Sequence, residues 1–212
     1  MILIQEYYES DVINHANDER SFEIKKALSL NIANEDITHI YLFTEQNYEY
    51  LINLEKVSQI IIGKRATFRD VINHAVIEFS SQFNEIIIIS NNDISIKSNQ
   101  IDILKYFEID INVCLALSRY DNGKFSHRPD SQDTWIFKGP IKIPANFLQN
   151  FDFYFGLNGS DNRLAYLLKQ SGFKLINTPE IITIHHHKSI KRPIKETVAG
   201  PYYFVEIFFL IN

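Results

Sequence analysis

Five short stretches of the chain carry residue types that could do chemistry. Asn91-Asn92-Asp93 follows a run of isoleucines. A carboxylate leaving a rigid strand at that point could hold a hard cation, which takes oxygen ligands and bridges phosphate oxygens. The same three residues are also good turn formers. Arg128-Pro-Asp-Ser-Gln-Asp133-Thr-Trp135 sets Asp130 and Asp133 beside the only tryptophan. A carboxylate next to an aromatic face suits a sugar, which has polar edges and apolar faces. The alternative is a polar loop entering a strand whose tryptophan is core.

Gly156-Leu-Asn-Gly159-Ser-Asp161-Asn162-Arg163 puts a carboxylate at a helix start, where it could face a cleft or where Ser160 or Asp161 could simply cap the helix. His185-His186-His187 on a strand would place His185 and His187 on one face and His186 on the other. Two same-face imidazoles could ligate a metal, or the triplet could be a solvated strand end. Gly63-Lys64-Arg65 lies between an apolar run and a helical pattern. Basic side chains and free N–H groups there would suit a diphosphate, or the stretch is a solvated turn.

These stretches need elements to position them. The pattern predicts strands over Ile2–Gln5, Thr38–Phe43, Val57–Ile62, Glu85–Ser90, Ile111–Arg119, Thr134–Lys138, Phe173–Asn177 and Ile181–His187. It predicts helices over Glu19–Leu30, Thr67–Ser80 and Asp161–Gln170. Thr67 and Asp70 read as a reciprocal N-terminal cap. The uninterrupted Ile86-Ile-Ile-Ile89 suits a central strand covered on both faces. Strands alternating with helices imply an α/β chain with a largely parallel sheet. Ligands of such sheets bind beyond the carboxyl ends of the strands.

The whole-chain numbers set limits. At 212 residues, the chain fits one ordinary domain. Hydrophobic residues make up 45% and charged residues 22%, which excludes a disordered chain. Seven glycines and six prolines, against a usual share of about 12%, predict few tight turns and long elements. A single cysteine, Cys114, excludes an internal disulfide and a cysteine-based zinc site. The N-terminus lacks a signal-peptide pattern, and no apolar run reaches the ~20 residues of a membrane span. The expectation is a cytoplasmic protein. The net charge of −5 argues against a nucleic-acid binder driven by bulk charge.

Taken in order, the motifs resemble those of nucleotide-sugar-dependent glycosyltransferases of the GT-A fold, over nearly the whole chain. The resemblance is carried by Leu117-Ser-Arg-Tyr120, by Arg128-Pro-Asp-Ser-Gln-Asp-Thr-Trp-Ile-Phe-Lys-Gly139 and by Gly159-Ser-Asp-Asn-Arg-Leu-Ala165. Ile4-Gln5-Glu-Tyr7-Tyr8 and Gly63-Lys-Arg-Ala-Thr-Phe-Arg-Asp70 look similar too. Within that group, the chain looks like the glycosyltransferase domains of large DNA viruses of algae, with bacterial relatives. The resemblance implies one GT-A domain over residues 1–212, with a central, mostly parallel mixed sheet flanked by helices. The apolar Ile207-Phe-Phe-Leu-Ile211 adds an expectation that this is a module of a longer polypeptide or borrows acceptor contacts from a partner.

The resemblance also implies site roles. Asp93 would ligate Mn2+ or Mg2+, although Asn91 stands where the family's Asp-x-Asp motif begins with a carboxylate. His187, with His185 as the alternative, would be a further ligand. Asp161 would be the catalytic base of an inverting transfer, with Asp133 as the competing candidate. Gln5, Tyr7, Arg65, Asp70 and Asn92 would hold the donor, and Trp135 would line the sugar pocket. The implied reaction moves a hexosyl or deoxyhexosyl group from a UDP-sugar to a hydroxyl of a glycan or glycoprotein acceptor. Two rivals are a sugar nucleotidyltransferase, disfavoured because Gln5 to Glu19 holds no glycine, and a non-catalytic nucleotide- or carbohydrate-binding module, motivated by Asn91.

Overall fold

The computed structural model describes residues 1–9, 15–97, 103–108, 110, 112–186 and 196–208. The chain begins with β1 (Ile2–Tyr7), α1 (His15–Ala33), β2 (His39–Thr44), β3 (Val57–Ile61), α2 (Phe68–Glu78) and β4 (Ile86–Ser90). It continues with β5 (Ile94–Ile96), β6 (Val113–Leu117), β7 (Tyr120–Asp121), β8 (Lys124–Phe125) and β9 (Thr134–Lys138). The series closes with α3 (Ser160–Gln170), β10 (Lys174–Ile176) and β11 (Thr183–His185).

Seven strands form the main sheet in the order β10-β6-β9-β4-β1-β2-β3. All neighbours pair in parallel except β9, which runs antiparallel between β4 and β6. The expected mixed, mostly parallel α/β sheet is therefore present. The isoleucine run explains its centre. Ile87 and Ile89 pack into one core, with Phe68, Val71 and Ile72 of α2 and Leu164, Leu167 and Leu168 of α3. Ile86 and Ile88 pack into the opposite core, with Ile24 and Leu28 of α1. Side chains alternate across a strand, so four consecutive isoleucines are buried only when both faces are covered.

A second sheet, β5-β11-β7-β8, lies past the end of β4. The sequence pattern missed its three-residue and two-residue strands, except that β11 lies within a predicted strand. Of the described elements only α1, at 19 residues, is long as predicted. The longest strands have six residues. Asparagine and aspartate make the turns that glycine does not, as at Asn91, whose C=O accepts from Ile94 N–H, and at Asn122, with φ +48°. No described helix is long and apolar enough to cross a membrane.

Helix α2 starts as expected. The Thr67 backbone N–H donates to Asp70 Oδ2 at 3.0 Å, and Asp70 N–H donates to Thr67 Oγ1 at 3.3 Å. Thr67→Ala removes half of this reciprocal cap and should cost about 1 kcal/mol of stability. Ile88→Ala, in the buried central strand, should cost about 2–5 kcal/mol. Urea unfolding of both variants checks the ranking. A Thr67 variant as damaged as the Ile88 variant would contradict it.

Candidate active site

The parallel strands deliver their polar ends to one cleft. Gln5, near the end of β1, sits beside Ser90 at the end of β4. Its buried amide donates to Ser90 Oγ (2.9 Å), Asn91 O (2.9 Å) and Ile94 O (3.3 Å). It therefore braces the turn at Asn91–Asp93. β5 follows that turn and pairs with β11, placing His185 opposite Ile94. β11 also pairs with β7, placing His185 opposite Asp121. The turn chemistry and the candidate site in Asn91-Asn92-Asp93 are thus the same residues.

A cavity of about 350 Å³ opens here, with Arg20, Arg65, Arg119, Asp93, Asp133 and Asp161 among its lining residues. Asn91, Asn92 and His185 also line it. Asp93 Oδ2 accepts from His185 Nε2 at 3.1 Å and from Arg20 Nη1. Arg20 Nη2 reaches Asn92 Oδ1 at 2.6 Å. The other His185 nitrogen, Nδ1, lies 2.7 Å from Asp121 Oδ1. Arg119 then joins Asp121 (3.1 Å) to Asp133 (2.8 Å), and Asn91 Nδ2 donates to Asp133 Oδ1 at 2.8 Å. One continuous polar chain therefore links Arg20 to Asp133.

The carboxyls are tuned in opposite directions. Burial alone would raise Asp93, but the Arg20 charge and the His185 hydrogen bond hold it well below the usual carboxylate range. Burial likewise works to lower His185, and its contact with Asp93 outweighs this and raises it. Asp161 moves the other way. Burial and then the Asp133 charge push it well above the usual range, against the opposing pull of Arg119. Divergent neighbours of this kind separate acid and base roles. Asp161 stands in the first turn of α3, whose N-cap is Gly159 at φ +74° with no side-chain cap. This corrects the expected cap by Ser160 or Asp161. A Cβ at Gly159 would meet Tyr202 Oη at 3.0 Å, so glycine serves both the conformation and the close approach.

Asn92, Asp93, Asp133, Asp161, His185 and Arg65 therefore converge, and other expected residues do not. Trp135 is 1% exposed and packs in the main core with Phe137, so it is not a sugar platform. The alternation of β9 turns Thr134 and Ile136 to one side and Trp135 to the α2–α3 side. Asp70 caps α2 and pairs with Lys64 at 2.9 Å, away from the cavity lining. Tyr7 is buried against Tyr48 and bonds Glu9 at 3.0 Å. Gln5 acts as the brace described above. His187 lies outside the described residues. His186 faces Ser95 at 2.7 Å. Asp130 pairs with Arg128 at 2.9 Å. Sequence reasoning missed Arg20, and it quoted Glu6, Tyr8 and Arg119 without giving them a role.

The fit to a divalent cation can be tested on the donors. Asp93 Oδ2 and His185 Nε2 are donor atoms of the types cations take, and they lie 3.1 Å apart, hydrogen-bonded to each other. Among the described residues, no group of three or more acidic, histidine or cysteine side chains could hold a metal. Two side-chain donors do not close a metal site, and any cation here would need its remaining positions filled by ligand oxygens. Asn92 Nδ2, buried at the cavity, has no hydrogen-bond partner among the described residues and is a spare donor for such oxygens. A second cavity of about 540 Å³ shares Tyr8 and Arg65 with the first and is also lined by Glu9, Glu45, Gln46, Tyr48 and Gly63.

No protein-family model matches the chain, and no curated protein matches it by sequence. Solved structures do match in fold. The chain is similar to GalNAc-T7 with UDP, GalNAc and Mn2+, at a TM-score of 0.54 and 10% identity, covering 91% of this chain and 44% of that one. It is also similar to the mannosyltransferase PcManGT from Pyrobaculum calidifontis in complex with GDP-Man and Mn2+, at a TM-score of 0.52 and 10% identity, covering 89% and 57%. A 4-diphosphocytidyl-2C-methyl-D-erythritol synthase superposes at a TM-score of 0.47 and 10% identity, covering 88% and 87%. The chain spans about half the length of the first two. Those two are GT-A glycosyltransferases, and the fold of this chain is GT-A-like. Nothing in these likenesses bears on a viral origin.

The raised Asp161 carboxyl has a consequence for stability. The folded chain keeps a proton that the unfolded chain releases near pH 3.9. Stability therefore falls as pH rises through the window above that value. Asp161→Asn removes this penalty. It should melt at a higher temperature than the wild type at neutral pH, with the gain fading below about pH 4. Thermal melts from acid to neutral pH check this. A variant less stable at neutral pH would contradict it.

Proposed function

We propose that the chain is a glycosyltransferase that moves a sugar from a nucleotide-diphosphate donor, with UDP favoured, to a hydroxyl of a glycan acceptor. The observation that carries this reading is the meeting, in one 350 Å³ cavity, of a carboxyl held above its usual range with three guanidinium groups. The nucleoside would occupy the adjoining 540 Å³ cavity beyond β1, β2 and β3. Arg65, which lines both cavities, would then lie along the diphosphate, where its fork suits paired oxygens.

The chemistry follows from the residues. Asp161, made more basic by burial and by Asp133, accepts the proton of the acceptor hydroxyl. The acceptor oxygen forms a bond to the anomeric carbon as the bond from that carbon to the diphosphate oxygen breaks. This single displacement inverts the configuration. Arg65 and Arg119 stabilise negative charge as it develops on the leaving diphosphate. Asp93 and His185 would hold a divalent cation, Mn2+ or Mg2+, which when bound supplies Lewis-acid stabilisation of that leaving group. His187 is the further candidate ligand. Asn92 Nδ2 supplies a donor to the bound sugar or phosphate.

Calorimetry of UDP with Mn2+, paired with UDP release from UDP-sugars, tests this. Asp161→Asn should lower kcat by about 10²–10⁴-fold while leaving UDP affinity within a few-fold. Asp93→Ala should lose UDP–Mn2+ binding. Failure of the wild type to bind UDP would sink the reading. So would pyrophosphate release from a nucleoside triphosphate and a sugar phosphate in place of UDP release.

A further inference from the structure

Arg20 has no place in the expected site, yet it forms an ion pair with Asp93 there. It comes from α1, far from the cleft in sequence, and α1 is fixed in place by buried amides. Asn31 Nδ2 donates to Ile94 O at 2.9 Å, and Asn31 Oδ1 accepts from Ile96 N–H at 2.9 Å. Asn34 Nδ2 donates to Ile96 O at 3.0 Å. Both asparagines are essentially inaccessible to solvent. The helix is thus bolted to β5, the strand that follows Asp93. The Arg20 guanidinium reaches Asp93 Oδ2 and Asn92 Oδ1, with longer contacts to Glu23 Oε2 and Tyr8 Oη, both at 3.4 Å. Its side chain keeps about a fifth of its surface accessible at the cleft.

Asp93 Oδ2 faces both Arg20 and His185 Nε2, so a divalent cation shared by Asp93 and His185 would meet the Arg20 charge there. A guanidinium stays charged at every working pH. A second positive charge brought against the same oxygen meets like-charge repulsion in a poorly solvated place. A nucleoside diphosphate changes the balance. Its paired oxygens match the guanidinium fork better than one shared carboxylate oxygen does. Lysine could not do both, because it lacks the fork.

We propose, building on the reading of the cleft as a nucleotide-sugar site, that Arg20 is a resident counter-cation on Asp93 that yields to a divalent cation only when a nucleoside diphosphate draws it away. Arg20 is then a positioning residue that makes metal and nucleotide bind as a pair. Without a bound diphosphate it neutralises Asp93. In the loaded cleft it contacts the diphosphate, and Asp93 is released to the cation. Coupling of this kind is reciprocal and falls typically in the range of about 5–150-fold.

Electron paramagnetic resonance of free Mn2+ gives the test without turnover. Wild type should bind Mn2+ at least ~5-fold more tightly with saturating UDP than without. Arg20→Gln should bind Mn2+ alone at least ~5-fold more tightly than wild type, bind UDP more weakly, and lose most of the coupling. Arg20→Lys, which keeps the charge, should bind Mn2+ alone as weakly as wild type. Should Arg20→Gln not fold, nitrogen NMR of the Arg20 Nε–H group in wild type decides. Its signal should move on adding Mg2+ and UDP together and stay still with Mg2+ alone. An unchanged Mn2+ affinity in Arg20→Gln, or an unmoved Arg20 signal, overturns the role of Arg20 while leaving the nucleotide site intact. A wild type that binds no UDP at all overturns both.

Discussion

The site depends on one oxygen atom, Asp93 Oδ2. It accepts from Arg20 on α1 and from His185 on β11, and it belongs to the turn that ends β4. A buried carboxylate is tolerated only with charge and hydrogen-bond partners. Meeting that need ties together a helix, the central strand and the small second sheet. His185 passes the constraint to Asp121, and Arg119 carries it on to Asp133. On this side of the cleft each ionised group is therefore paired with the next.

Two carboxyls that line the cleft are set apart chemically. Asp93 meets cations and is held low. Asp161 meets burial and the charge of Asp133 and is pushed up. The sheet makes this separation possible, since β4 and β9 run in opposite directions and bring Ser90 beside Thr134. Asp133 thus sits next to Asn91, 42 positions away in sequence. Helix α3 brings Asp161 to the same cavity from above the core that Trp135 and Phe137 fill.

Much of this was legible in the sequence where the signal was local. The isoleucine run announced a strand covered on both faces, and Thr67 with Asp70 announced the start of α2. Polar residues after one strand, before another and at a helix start pointed to Asp93, Asp133 and Asp161. The failures have physical reasons. Trp135 looked like a sugar platform because sequence gives a strand's period but not which face meets solvent. Gln5 and Asp70 are polar and well placed in the chain, but backbone groups claimed them, as a brace and as a cap. Arg20 left no signal, because Asn92 and Asp93, its partners in the cleft, lie more than 70 positions away and its own helix has weak apolar periodicity. Only the packing of α1 against β5 brings it to Asp93.

The roles of Asp93, Arg20 and Arg65 turn on where a nucleotide and a divalent cation settle in this cleft. A crystal of the chain grown with UDP and Mn2+, with anomalous scattering recorded for manganese, measures that. The account predicts a manganese peak bonded to Asp93 Oδ2 and His185 Nε2, with the diphosphate beside Arg65 and with Arg20 turned from Asp93 toward it. Nucleotide bound outside the two joined cavities, or manganese away from Asp93, would contradict it.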